Sequence, residues 1–147
     1  MANNQLTAVI NKEIANFTIL YTKLHNYHWF VSGPHFFSLH EKLEQLYNEA
    51  ATNIDELAER LLAMQEKPAA TIREYLELTT VEEATGSENT EDMVQSVISD
   101  FQKISKELDE GIDLAGQADD DVTSDMLTGM KKSLDKNAWM LRAYLGR

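Results

Sequence analysis

The 147-residue chain contains no cysteine, only two prolines and six glycines. Without cysteine, disulfides and thiolate metal sites are excluded. No run approaches the roughly 18–20 uninterrupted apolar residues that a membrane helix requires. The opening stretch MANNQLTAVI has neither the basic start nor the small-residue cleavage site of a secretory signal, so a cytoplasmic location is expected. Basic tails are missing as well: the first eleven residues hold no Lys or Arg, and the other end reads Leu145-Gly146-Arg147. The net charge of −12 repels phosphate backbones and attracts cations, which argues against a nucleic-acid binder. A well-hydrated exterior would account for the same charge without any ligand.

With 43% hydrophobic residues but only 8% aromatic, the chain has material for a core built mainly of aliphatics, and its length suits one domain over 1–147. The few breakers punctuate it: Gly33-Pro34, Pro68, Gly86, Gly111 and Gly116. Between them apolar residues recur at helical spacing, which predicts helices over about 6–31, 36–66, 90–114 and 121–145. The second carries Leu39, Leu43, Leu46, Tyr47, Ala50, Ile54, Leu57, Leu61 and Met64 as its apolar stripe, and Thr90 is a candidate cap for the third. No convincing strand is found. TIREYLEL, Thr71 to Leu78, reads as a short helix inside the longest connection. If the second and third helices were parallel, that connection would have to run the length of the bundle, about 45 Å for a 30-residue helix. The expected fold class is therefore all-α, a ferritin-like four-helix bundle with one long crossover that carries a short helix.

All four histidines fall between His25 and His40. Bundles build metal sites from inward-facing Glu, Asp and His, often as Glu-x-x-His on one helix face. That motif is absent here, so a di-iron site within one bundle is not supported. The second helix instead offers Asp55 and Glu59, whose i, i+4 spacing projects both carboxylates from one face. A solvated face explains such a pair equally well. His28 and His40 are the candidate nitrogen ligands, since imidazole with carboxylate suits iron or zinc. His40 and Asp55 are fifteen residues apart on one unbroken helix, however, a separation of roughly 22 Å. Either the two groups are unrelated, or a second subunit completes the site. A two-fold dimer with antiparallel second helices would make two such sites by symmetry.

His28-Trp29-Phe30-Val31-Ser32-Gly33-Pro34-His35-Phe36-Phe37-Ser38-Leu39-His40 resembles the first signature of the Dps proteins, the mini-ferritins. Asp55-Glu56-Leu57-Ala58-Glu59-Arg60-Leu61 resembles their second. Ile72 to Leu76 is similar to the family's short helix, and Trp139 to Leu145 to its last segment, so the likeness covers essentially the whole chain. It implies a hollow homo-dodecamer of tetrahedral symmetry with ferroxidase centres at the two-fold interface. His28 and His40 would come from one subunit and Asp55 and Glu59 from its partner, with Glu44 as an extra carboxylate. It further implies oxidation of Fe(II), preferably by hydrogen peroxide, and storage of a ferric mineral, with zinc as a substitute metal. Trp29 would quench one-electron oxidants or pack at the dimer interface.

The same resemblance assigns the iron-entry pores to the acidic start of the fourth helix. Asp121 and Asp125 would line a wall and Asp120 would sit at the mouth, although acidic residues in a first helical turn are also favoured by the helix dipole. Some family members condense DNA through Lys-rich tails, and this sequence has none; direct DNA binding is not expected. Asn137 stands where relatives often carry His. His25 and His35 have no assigned role. Two other functions compete: a nucleoid-associated structural protein, and a catalytically silent shell with an interaction or signalling role.

Overall fold

The computed structural model describes residues 2–147, with side chains from Asn4 onward. Five helices follow one another: α1 (Ala2–Phe30), α2 (Phe36–Ala63), α3 (Ile72–Leu78), α4 (Thr90–Gln117) and α5 (Asp121–Tyr144). No strand occurs among the described residues.

Side-chain bridges fix how the helices run. His28 meets His40 across the α1–α2 turn, where Gly33 supplies the positive φ of 104° that the tight reversal needs. Lys23 bonds Asp100 and Asn16 bonds Glu107, so residue numbers rise along α1 as they fall along α4. Asn137 bonds Glu49, and Arg60 bonds Thr123, which makes α2 and α5 antiparallel in the same way. With α2 and α4 both antiparallel to α1, they are parallel to each other. The segment between Ala63 and Thr90 must therefore travel the length of the bundle, the arrangement for which its length is sufficient.

The core is one continuous aliphatic cluster. From α1 it takes Leu6, Ile10, Ile14, Phe17, Leu20, Leu24 and Tyr27, each at most 1% exposed and spaced three or four residues apart. α2 contributes Leu39, Leu43, Leu46, Ala50, Leu57 and Leu61, and α4 contributes Val97, Phe101, Ile104 and Leu108.

Two polar assemblies cross this core. Lys23 and Asp100 form a buried ion pair at 2.8 Å. Nearer the other end, Asn16 Nδ2 donates to both Glu13 Oε1 (3.0 Å) and Glu107 Oε1 (2.9 Å). Thr80 Oγ1 donates to Glu107 Oε2 at 2.8 Å, and Thr80 N donates to Asn16 Oδ1 at 2.7 Å. This network ties the crossover to α1 and α4. Burial, reinforced by the neighbouring Glu107 carboxylate, pushes the Glu13 carboxyl up to about 9. Glu13 Oε2 is buried without a hydrogen-bond partner, whereas Oε1 accepts from Asn16.

Helix ends depart from the sequence expectation, beginning with α4, whose cap is Asn89, accepting from Asp92 N at 2.8 Å, and not Thr90. α2 stops at Ala63 rather than 66, because Gln65 adopts a left-handed φ of 63° and Glu66 N bonds back to Leu61 O at 2.8 Å. α4 runs through Gly111 and Gly116 to Gln117 before Asp119, at φ 55°, closes it in the same manner. Gly111 is not a breaker. A Cβ there would lie 2.8 Å from Leu127 Cδ1 and 3.3 Å from Val9 Cγ1, so the glycine permits close packing of three helices.

Candidate metal centre

His28 lies in the last turn of α1 and His40 in the second turn of α2, and the reversal at Gly33 lays one ring flat on the other. Ring centroids are 3.7 Å apart and the planes 14° from parallel. Each ring is then fixed by the other's backbone. His28 Nδ1 donates to His40 O at 2.7 Å, and His40 Nδ1 donates to His28 O at 2.8 Å. A carbonyl oxygen can only accept, so Nδ1 must bear the hydrogen in both rings, and in the neutral imidazoles both Nε2 lone pairs are left free. Backbone carbonyls orient metal-binding histidines in this way and raise their basicity. His28 is buried and His40 half-buried.

Glu44, one turn beyond His40, places Oε1 3.9 Å from His28 Nε2. Its carboxylate is more than half exposed and also lies 3.5 Å from the Tyr47 hydroxyl. Burial and the adjacent Glu44 carboxylate hold the Tyr47 phenol above its ordinary range. By spacing alone Tyr47 belongs to the apolar stripe of α2. Its ring in fact stacks on His25 at 3.7 Å and meets His28 edge-on at 5.3 Å. The signal was available, since Tyr47 lies three residues beyond Glu44 and seven beyond His40 on one helix face.

Trp29 follows His28 but projects elsewhere, as neighbours on a helix do. It is 65% exposed and touches His25, with centroids 5.0 Å apart. His25 packs among Tyr21, Trp29 and Tyr47, and its Nδ1 is buried without a partner. Burial, and then His28, lower its pKa, which suits a neutral packing ring. His35 occupies the N-cap position of α2 without making a side-chain cap and meets Tyr144 edge-on at 5.7 Å. Both histidines thus have packing roles.

Asp55 and Glu59 lie exposed on the same unbroken α2 as His40. One chain does not bring them to the histidines, and no group of three or more His, Asp or Glu able to hold a metal forms among the described residues. Glu59 instead lines an open depression of about 690 Å³ between α2 and α5, together with Glu56, Arg60 and Asp125. Asp121 and Asp125 are exposed.

Asp120 is employed differently. It caps α5 by accepting from Thr123 N at 3.0 Å and binds Arg60 Nη2 at 3.2 Å. Despite its burial, these bonds and the Arg60 charge hold its carboxyl below the usual range. Asn137, unexplained in the sequence, bridges two helices: it accepts from Lys42 Nζ at 3.1 Å and donates to Glu49 at 2.9 Å.

Comparison with known proteins bears on the same architecture. The ferritin-like domain model matches residues 7–147. General stress protein 20U of Bacillus subtilis is 55% identical over 144 residues, covering 98% of this chain and 99% of that one. DNA protection during starvation protein 2 of Bacillus anthracis is 50% identical over 145 residues, covering 99% of each. The crystal structure of Dps from Staphylococcus aureus superposes with a TM-score of 0.95 at 49% identity, covering 97% of this chain and 95% of that chain.

The chain belongs to the Dps family.

Iron oxidation and storage is the general role of that family. The chain presents two oriented imidazoles at one place and two exposed carboxylates at another. Among its described residues, no helix is long and apolar enough to cross a membrane.

Proposed function

We propose that the protein is a ferroxidase that takes Fe(II) as substrate at sites shared between two subunits. His28 and His40 of one chain bind the iron with Asp55 and Glu59 of the partner subunit, and Glu44 supplies a further carboxylate. Hydrogen peroxide is the preferred oxidant, so both reactants of hydroxyl-radical chemistry are consumed together. Ferric product is stored as mineral inside a dodecameric shell of tetrahedral symmetry, and Fe(II) enters past Asp121 and Asp125. Protection of DNA is then chemical, carried out in the cytoplasm, since a chain of net charge −12 opposes direct binding. Zinc, which also takes imidazole and carboxylate, would compete for the site.

The observation that carries this reading is the reciprocal lock of His28 and His40. It presents two Nε2 lone pairs beside Glu44. The distance along α2, roughly 22 Å from His40 to Asp55, supports a two-chain site. Supporting it further is an unpartnered apolar surface close by: Trp29, Phe30 and Phe37 are 65%, 67% and 84% exposed in one chain.

Subunit complementation tests it. His40→Ala and Asp55→Ala should each abolish rapid Fe(II) oxidation. Unfolding an equal mixture and reassembling it should restore activity. Half of randomly formed dimers pair the two variants, and each such dimer regains one intact site of two, so about one quarter of the parental rate is expected. A reassembled mixture no more active than either variant would sink the shared-site reading.

A further inference from the structure

Hydrogen peroxide also oxidises methionine, and the consequence depends on what the sulfur faces. Met93 and Met130 are buried, at 7% and 5% exposure, and give peroxide little access. Met64, Met126 and Met140 are half-buried. Among the described residues only the Met64 sulfur has a hydroxyl against it: Thr123 Oγ1 lies 3.7 Å from Sδ. Met64 is the C-cap of α2, so this contact joins the end of α2 to the first turn of α5.

Thr123 is fully buried, and its hydroxyl is the centre of a small network. Arg60 Nε donates to it at 2.9 Å, and it also faces Asp120 Oδ2. A threonine hydroxyl has one hydrogen to give, so Met64 and Asp120 compete for it. A carboxylate is a far better acceptor than a thioether, and the hydrogen goes to Asp120. Asp120 Oδ1 is held separately, by Thr123 N at 3.0 Å and by Arg60 Nη2 at 3.2 Å. Among the described residues Oδ2 has no donor but this hydroxyl. The position of a single hydrogen thus decides whether that oxygen is free.

Taking its oxidant from the ferroxidase reading above, we propose that Met64 is a site of reversible oxidation that switches the Thr123 hydroxyl from Asp120 to a methionine sulfoxide. The sulfur attacks one oxygen of hydrogen peroxide, an S–O bond forms and the O–O bond breaks. Sulfur loses two electrons, and the departing hydroxide takes the proton of the transferred oxygen and leaves as water. The unbranched side chain turns the new oxygen, a strong acceptor, onto Thr123. Asp120 Oδ2 is then released beside the exposed Asp121. Peroxide in this way adds a free carboxylate oxygen to the acidic start of α5, where a hard divalent cation binds more tightly. Enzymatic reduction of the sulfoxide returns the hydrogen to Asp120.

The test uses the assembled full chain, metal-free, treated with hydrogen peroxide and then with catalase. Peptide mass mapping follows each methionine, and binding of Mn(II) is read by electron paramagnetic resonance. Met64 should gain one oxygen before Met93 and Met130 do, and Mn(II) binding should tighten several-fold. Methionine sulfoxide reductases, one for each epimer, should reverse both changes. Met64→Leu should bind Mn(II) as the untreated parent does, before and after peroxide. Thr123→Val, which removes the hydroxyl, should bind like the oxidised parent without treatment. Met64 left unoxidised, binding unchanged after its oxidation, or tightening that persists in Met64→Leu overturns the proposal. None of these readouts requires iron oxidation. A parent that oxidises Fe(II) no faster than buffer removes the ferroxidase reading, and the Mn(II) titrations still decide the switch.

Discussion

Replacing Glu13 by Gln should stabilise the protein at neutral and alkaline pH. Glu13 is fully buried, and its carboxyl is pushed from an ordinary 4.5 up to about 9 by burial and by Glu107. Between these two values the folded chain holds a proton that the unfolded chain has released. Stability therefore falls as pH rises through this window, by about 1.4 kcal/mol per pH unit. Relative to pH 4.5, the parent has lost about 3 kcal/mol per chain by pH 7 from this group alone. A glutamine has no proton to hold. Its Oε1 can still accept from Asn16, and its amide nitrogen takes the place of the oxygen that has no partner. The gain expected at pH 7 is that same figure less the cost of one extra amide hydrogen left without an acceptor, about 1–3 kcal/mol.

Guanidinium unfolding midpoints, measured from pH 5 to pH 9 at fixed protein concentration, decide the matter. The parent should weaken steadily with pH, and Glu13→Gln should show a much flatter profile that crosses above it. Parallel profiles would refute the buried proton. They would mean that the Glu13–Glu107 pair relaxes or hydrates when it ionises.

Asp100→Ala should destabilise the fold by about 3–5 kcal/mol, because it leaves the Lys23 ammonium buried and unpaired. The double variant Lys23→Met/Asp100→Leu should recover most of that loss in the same unfolding assay; no recovery would show that the pair is needed for more than its charge balance. Asp120→Ala should cost about 1–2 kcal/mol through loss of the α5 cap, visible as a lower unfolding midpoint. Asp121→Asn with Asp125→Asn should leave that midpoint within about 0.5 kcal/mol of the parent but slow Fe(II) uptake in stopped flow. Unchanged uptake would take these two aspartates out of the entry path.

Much of the fold was legible because its decisive signals are local. The apolar spacing of α1, α2, α4 and α5 points to four long helices, and the Ala63 to Thr90 connection is long enough to allow parallel α2 and α4. Helix ends were read less well, and for a stereochemical reason. Glycine is the usual residue in the left-handed position that closes a helix, yet here Gln65 and Asp119 occupy it. The glycine that looked like a stop, Gly111, lies inside α4, where a side chain would strike Leu127 and Val9. Neither fact leaves a trace in composition, because both depend on what packs against the position.

The candidate site divides along the same line. Helical rise alone separates His40 from Asp55, so the impossibility of a one-chain site follows from the sequence without coordinates. Which nitrogen of each histidine is free does not follow, since it depends on two carbonyls that approach only after α1 and α2 pair across Gly33. Residue type misled in one place. A tyrosine in an apolar stripe reads as core, whereas the phenol of Tyr47 is defined by what it faces, the His28 ring and the Glu44 carboxylate. Asp120 misled in the opposite sense: an acidic triplet suggested solvent and metal, and its carboxylate is taken up by Thr123 and Arg60. Spacing can place a side chain on a face, but only the partner across that face settles whether it binds, caps or packs.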